Sequence, residues 1–192
     1  SAKNKYEQVL KSSPEYEMVF NAKMNLARSL ESGSRDTQKM RQKLLKMTKD
    51  DKNKEYLDQI YFTLAEMDIN NSDTLAAIDN YLLSTVNSIE NNTQKSLSFL
   101  ALAKIDYNRS FYKDAKINYD STLFYMDEDF REYESAKEKH EILQELVYHL
   151  DVISLQDSLQ ALAALPAAEL SQLISQLIQA EVKKESEALA AE

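Results

Sequence analysis

The chain has 192 residues and a formal net charge of −9, with one glycine, two prolines and no cysteine. So few glycines and prolines exclude a turn-dense β architecture, while the dominance of Ala, Leu, Glu, Lys, Gln and Ser favours helices. The negative balance repels phosphate backbones and argues against nucleic-acid binding, and the missing cysteines rule out disulfides and thiolate metal sites.

Apolar residues recur at helical spacing almost throughout, which predicts an all-α chain of eight or nine helices and no strand. Breaks fall at Ser12-Ser13-Pro14, Ser32-Gly33-Ser34, Lys49 to Asn53, Asn70 to Asp73, Asn91-Asn92, Asn108 to Ser110, Met126 to Asp129, and Pro166. No apolar run approaches the roughly 18 residues that span a bilayer, so direct membrane insertion of this segment is not expected.

Taken in order, the first element is half a hairpin at 1–14, with Ala2, Tyr6, Val9 and Pro14 at second-helix spacing. A degenerate hairpin follows over 15–48, with Leu26-Ala27 on its first helix and Met40, Leu44 and Met47 on its second. Basic residues cluster over 35–54, among them Lys39, Lys43, Lys46 and Lys49, and read as a solvated helix face.

The next two elements echo each other. Tyr61 to Ser84 reads YFTLAEMDINNSDTLAAIDNYLLS, and Phe99 to Thr122 reads FLALAKIDYNRSFYKDAKINYDST. The kept pairs are Leu64/Leu102, Ala65/Ala103, Asp68/Asp106, Asn70/Asn108, Ser72/Ser110, Ala77/Ala115, Asn80/Asn118 and Tyr81/Tyr119. Each copy predicts two helices joined by a polar turn, at 54–90 and 93–126. Small residues on facing helices allow close approach, and the aromatics fill the space to the next pair.

This spacing resembles the tetratricopeptide repeat, with Tyr61 and Phe99 at its Trp position, Ala65 and Ala103 at its Gly position, and Ala77, Tyr81, Ser84 and Ala115, Tyr119, Thr122 on the second helices. The departures are a longer period, Asp68 and Asp106 where the repeat has Tyr, and no late Pro. The resemblance implies a helical-hairpin solenoid over 1–128, with capping or docking helices over 129–192. There Ala136, Leu143, Leu146, Val147, Leu150 and Ile153 form one stripe. Leu170, Leu173, Ile174, Leu177, Ile178 and Val182 form another beyond Pro166, which fits a first helical position. The closing KKESEALAAE is polar and is expected to fray.

A narrower resemblance rests on YDSTLFYMDEDFREYESAKEKHEILQELV followed by LQDSLQALAALPAAE. The region is similar to the tetratricopeptide-repeat lipoproteins of Bacteroidetes gliding motility and type IX secretion. That implies a fragment of a longer protein, periplasmic and anchored to the outer membrane by a lipidated N-terminus. It also implies partners among the other protein components of a secretion or motility complex.

In a stack of this kind the first helices line the concave side. The residues expected to bind a partner are Phe62, Glu66, Ile69 and Asn70, then Leu100, Lys104, Tyr107 and Asn108, with Gln59 and Leu97 beside them. Phe62, Leu100 and Tyr107 serve as apolar anchors, and Asn70, Asn108 and Lys104 hold a peptide backbone or carboxylate.

Chemistry is sparsely represented. His149 lies four residues after Glu145, but no further His or Cys completes a metal shell, and one glycine cannot make a phosphate loop. No Ser/His/Asp arrangement is readable. The expectation is a non-catalytic interaction scaffold without cofactor or metal; the alternative is an outer-membrane helical-repeat protein that binds glycan for uptake, using some of its eleven tyrosines.

Overall fold

The computed structural model describes Lys5, Tyr6, Gln8, residues 15–30 and residues 33–190. Of the half hairpin expected at 1–14, Ala2, Val9 and Pro14 lie outside the described residues; Tyr6 is partly buried against the first core cluster. The described residues are all-helical, with no strand. The elements are α1 (Tyr16–Arg28), α2 (Arg35–Met47), a 3-10 turn (Asp51–Tyr56), α3 (Leu57–Asn70), α4 (Thr74–Asn87), α5 (Asn92–Asn108), α6 (Tyr112–Tyr125), α7 (Tyr133–Ala163) and α8 (Ala167–Ala190).

Helix starts follow the sequence. Ser34, Asp73 and Asn91 each accept a backbone N–H through the side chain, from Thr37, Ala76 and Gln94, all at 3.1 Å. These caps satisfy donors that the first turn leaves unpaired. At the other end, Ser72 (φ 61°) and Ser110 (φ 62°) close α3 and α5 in the left-handed region. In each case the next backbone N–H returns to the same carbonyl position: Asp73 to Asp68 and Phe111 to Asp106, both at 2.9 Å. The two turns are copies of one another.

Packing repeats as well. α3 packs on α4 and α5 on α6, and α4 packs on α5 to join the pairs. Ala65, Ala77, Ala103 and Ala115 are fully buried, which is what lets the paired backbones approach. Asp68 accepts from Asn80 Nδ2 at 2.7 Å, and Asp106 from Asn118 Nδ2 at 2.8 Å. The aspartates that departed from the repeat pattern therefore tie each first helix to its second.

The joint between the pairs is polar. Ser84 Oγ donates to the Asp58 carbonyl at 2.7 Å and lies 2.8 Å from Ser98 Oγ. Asp58 Oδ2 accepts from Asn91 at 3.0 Å and Ser88 at 3.3 Å, and burial pushes its carboxyl above the usual range against those bonds. On the other side, Phe20, Met24, Leu26, Met40 and Leu44 of α1 and α2 bury against Ile60, Leu64 and Met67 of α3 in one apolar cluster.

The chain divides into two compact units, Ser1–Glu145 and Leu146–Glu192. The division falls inside α7 and not at the expected 128/129 boundary, because Ala136 and Leu143 of α7 are buried (1% and 0% exposed). In the second unit the stripes are open: Ile153 of the first and Ile174, Leu177, Ile178 and Val182 of the second are exposed. α8 starts at Ala167, with the Pro166 carbonyl accepting from Leu170 at 3.0 Å, so Pro166 precedes the first helical residue. α8 continues to Ala190, with Glu181–Lys184 and Lys183–Glu187 ion pairs, both 3.7 Å, along its side.

Candidate partner-binding cleft

The first unit holds a cleft of about 340 Å³ between α5 and the start of α7. Leu100, Lys104, Tyr107 and Asn108 come from α5, Tyr119 from α6, and Ser135, Ala136, Glu138 and Lys139 from α7. The α5 residues share a face because they stand at i, i+4, i+7 and i+8 of one helix. α7 is held opposite them in part by His140, whose Nε2 lies 2.5 Å from Asp120 Oδ1 on α6. Burial alone would raise the Asp120 carboxyl, but hydrogen bonds from Lys116 and His140 hold it below its ordinary range.

The interior of the cleft is apolar and aromatic, and its rim carries Lys104 and Lys139 beside Glu138. Tyr107 is half-buried, meets Tyr112 edge-on at 5.9 Å and carries the Lys139 ammonium 5.2 Å above its ring. Lys104 and Lys139 are exposed and neither forms a salt bridge among the described residues. Asn108 is exposed beside them. Two ammonium groups, an amide and a supported ring suit recognition of an extended or helical segment bearing a carboxylate.

Four of the eight expected residues thus meet in one place, though Leu100 is not the exposed anchor that the sequence suggested. It is 4% exposed and forms the cleft's floor, because α7 covers that part of α5.

The other four do not join them. Glu66 is ion-paired with Arg28 of α1 at 2.5 Å, and the same guanidinium lies 5.7 Å from the Phe62 ring. Phe62 also meets Tyr81 edge-on at 5.3 Å. α1 occupies the surface these two were expected to offer, so they are a joint between helices. Ile69 (39% exposed) and Asn70 lie on the solvent side at the end of α3, outside the cleft lining. Of the two flanking positions, Gln59 and Leu97, each is half-buried and outside it as well.

Ser135, Glu138 and Lys139 were missed because residues after 129 read as a separate set of caps. A signal was present: first helices begin at Leu57, Asn92 and Tyr133, so α7 stands in sequence where a further first helix belongs.

Among the described residues no group of three or more His, Cys, Asp or Glu could hold a metal ion, and no helix is long and apolar enough to cross a membrane. No protein-family model matches the chain, and no curated protein is significantly similar to it.

Proposed function

We propose that the chain is a non-catalytic protein-interaction scaffold of tetratricopeptide-like hairpins, acting within the type IX secretion and gliding-motility machinery. The observation that carries the scaffold reading is the cleft: Lys104, Tyr107, Asn108 and Lys139 converge from two helices on a preformed, partly apolar surface. The repeated hairpin supports it, since Asp68–Asn80 and Asp106–Asn118 hold successive first helices in the same relation to their partners. Rigid stacked hairpins present such surfaces without reorganising on binding, which lowers the entropy cost of association.

The secretion assignment rests on the resemblance of 119–147 and 155–169 to the lipoproteins of that system. On this proposal the full-length protein is periplasmic and tethered to the outer membrane, with other envelope components of the complex as partners. The test is capture from a gliding bacterium's envelope extract by the native chain and by Tyr107→Ala. The native chain should retain components of the secretion complex, and Tyr107→Ala should lose them while melting normally. Equal retention by both proteins would remove the cleft from the account; capture of no envelope component would remove the assignment.

A further inference from the structure

A second recess, separate from the cleft, lies between α1 and α2. It measures about 290 Å³ and is lined by Leu26, Met40 and Met47 together with Lys23, Lys43 and Lys46. Met40, Lys43 and Met47 follow one another at three- and four-residue steps on α2, so floor and rim share a helix face. Leu26 and Met40 are buried, Met47 and Lys23 half-buried, and Lys43 and Lys46 exposed.

Its charge is unusual for this chain. In a protein of net charge −9, three lysines surround an apolar floor, and none of them forms a salt bridge among the described residues. In this they match Lys104 and Lys139 of the cleft and differ from Lys52, Lys54 and Lys116, which pair with Asp50, Asp51 and Asp120. The macrodipole accounts for Lys46, which stands in the last turn of α2, but not for Lys23 in the middle of α1. Clustered like charges repel, and opposite charges brought by a ligand relieve that repulsion.

The floor sets the rest of the ligand. Two flexible thioethers and a leucine accept an apolar side chain of variable shape. The volume sits at the lower limit of small-molecule sites, which suits one or two inserted side chains better than a ring system. Lysine ammonium groups take carboxylate and phosphate alike, but no helix N-terminus or guanidinium fork lines this recess to select phosphate by geometry, and its apolar floor favours a carboxylate-bearing peptide.

We propose that the α1–α2 recess docks an acidic segment of a partner protein, which seats one large apolar side chain on Leu26, Met40 and Met47 and sets flanking carboxylates against Lys23, Lys43 and Lys46. The site is independent of the cleft, so either can fail alone.

The test uses fluorescein-labelled peptides of about twelve residues, the length of a short docking motif. One has a central leucine flanked by glutamates; the controls change that leucine to serine or the glutamates to glutamines. The parent peptide should bind the full chain, weaken as salt rises, and lose about tenfold or more in affinity with either control. Lys43→Glu/Lys46→Glu should abolish binding with an unchanged melting curve, since both side chains are exposed; Lys43→Gln/Lys46→Gln serves if the first variant folds poorly.

Methyl signals of Met40 and Met47 should shift on titration while that of Met126 stays. Binding that survives the lysine substitutions, binding that ignores the leucine, or no binding of the parent peptide would each overturn the proposal. So would a peptide-independent, concentration-dependent dimer that shifts the same methyl signals, because the recess would then be a contact between copies of the chain.

Discussion

Asp68 accepts a hydrogen bond from Asn80 at 2.7 Å, linking the two helices of the α3–α4 hairpin, and the next hairpin repeats it between Asp106 and Asn118 at 2.8 Å. Asp68 has a second partner, Arg41 at 2.8 Å. For Asp106, burial raises the carboxyl above its ordinary range and the Asn118 bond opposes that rise. Hydrogen bonds to charged groups are worth about 1.5–3 kcal/mol, less where water can replace the donor. Asn118→Ala and Asn80→Ala should each destabilise the chain by about 1–2 kcal/mol in urea unfolding. An unchanged midpoint in both would show that these bonds do not hold the hairpins.

Ser72 and Ser110 stand at φ 61° and 62°, where a side chain costs about 1 kcal/mol that glycine does not incur. Both are exposed, so no packing is lost on substitution. Ser72→Gly and Ser110→Gly should therefore raise stability by a few tenths to about 1 kcal/mol, offset in part by the entropy of the unfolded glycine. A fall in melting temperature would mean that the serine hydroxyls contribute more than the backbone strain costs.

Ala103 is fully buried between α5 and its neighbours. Ala103→Leu should force the helices apart and cost about 1–3 kcal/mol. A melting curve superimposable on the native one would contradict the close approach of the paired helices.

Asp58 gives a pH dependence whose sign is set by its environment. Burial raises its carboxyl in the folded state above the unfolded value, so the folded chain binds the proton more tightly. Its contribution to stability is then full below the unfolded pKa and is lost as pH rises through the folded one. The difference in unfolding free energy between the native chain and Asp58→Asn should shrink from acid toward neutral pH. A difference that grows over that range would reverse the assignment of burial as the dominant cause.

Much of the helical organisation was legible because it depends on local spacing. Alanines at 65, 77, 103 and 115, polar caps at 34, 73 and 91, and the turns after 70 and 108 all act within a few residues of chain. The candidate cleft was legible only by half. Tyr107, Lys104 and Asn108 follow from register on α5, whereas Lys139 faces them only because α7 folds against α5. The same limit misled the reading of Phe62 and Glu66. Their solvent side is taken by Arg28, thirty-four residues before Phe62 and thirty-eight before Glu66, and no helical periodicity reports a contact at that range. The left-handed serines were invisible for a different reason, since serine carries no strong signal for positive φ.

The central claim is that a partner protein occupies the cleft between α5 and α7, and site-specific photo-crosslinking tests it most directly. A benzoylphenylalanine replaces Tyr107, Lys139, Ile117 or Ile178 in separate chains; the last two residues are 59% and 59% exposed but outside the cleft. Each chain is irradiated with an envelope extract and its adducts are identified by mass. The account predicts the same secretion-complex component crosslinked from positions 107 and 139 and absent from 117. Adducts from 117 or 178 with none from 107 and 139 would contradict it.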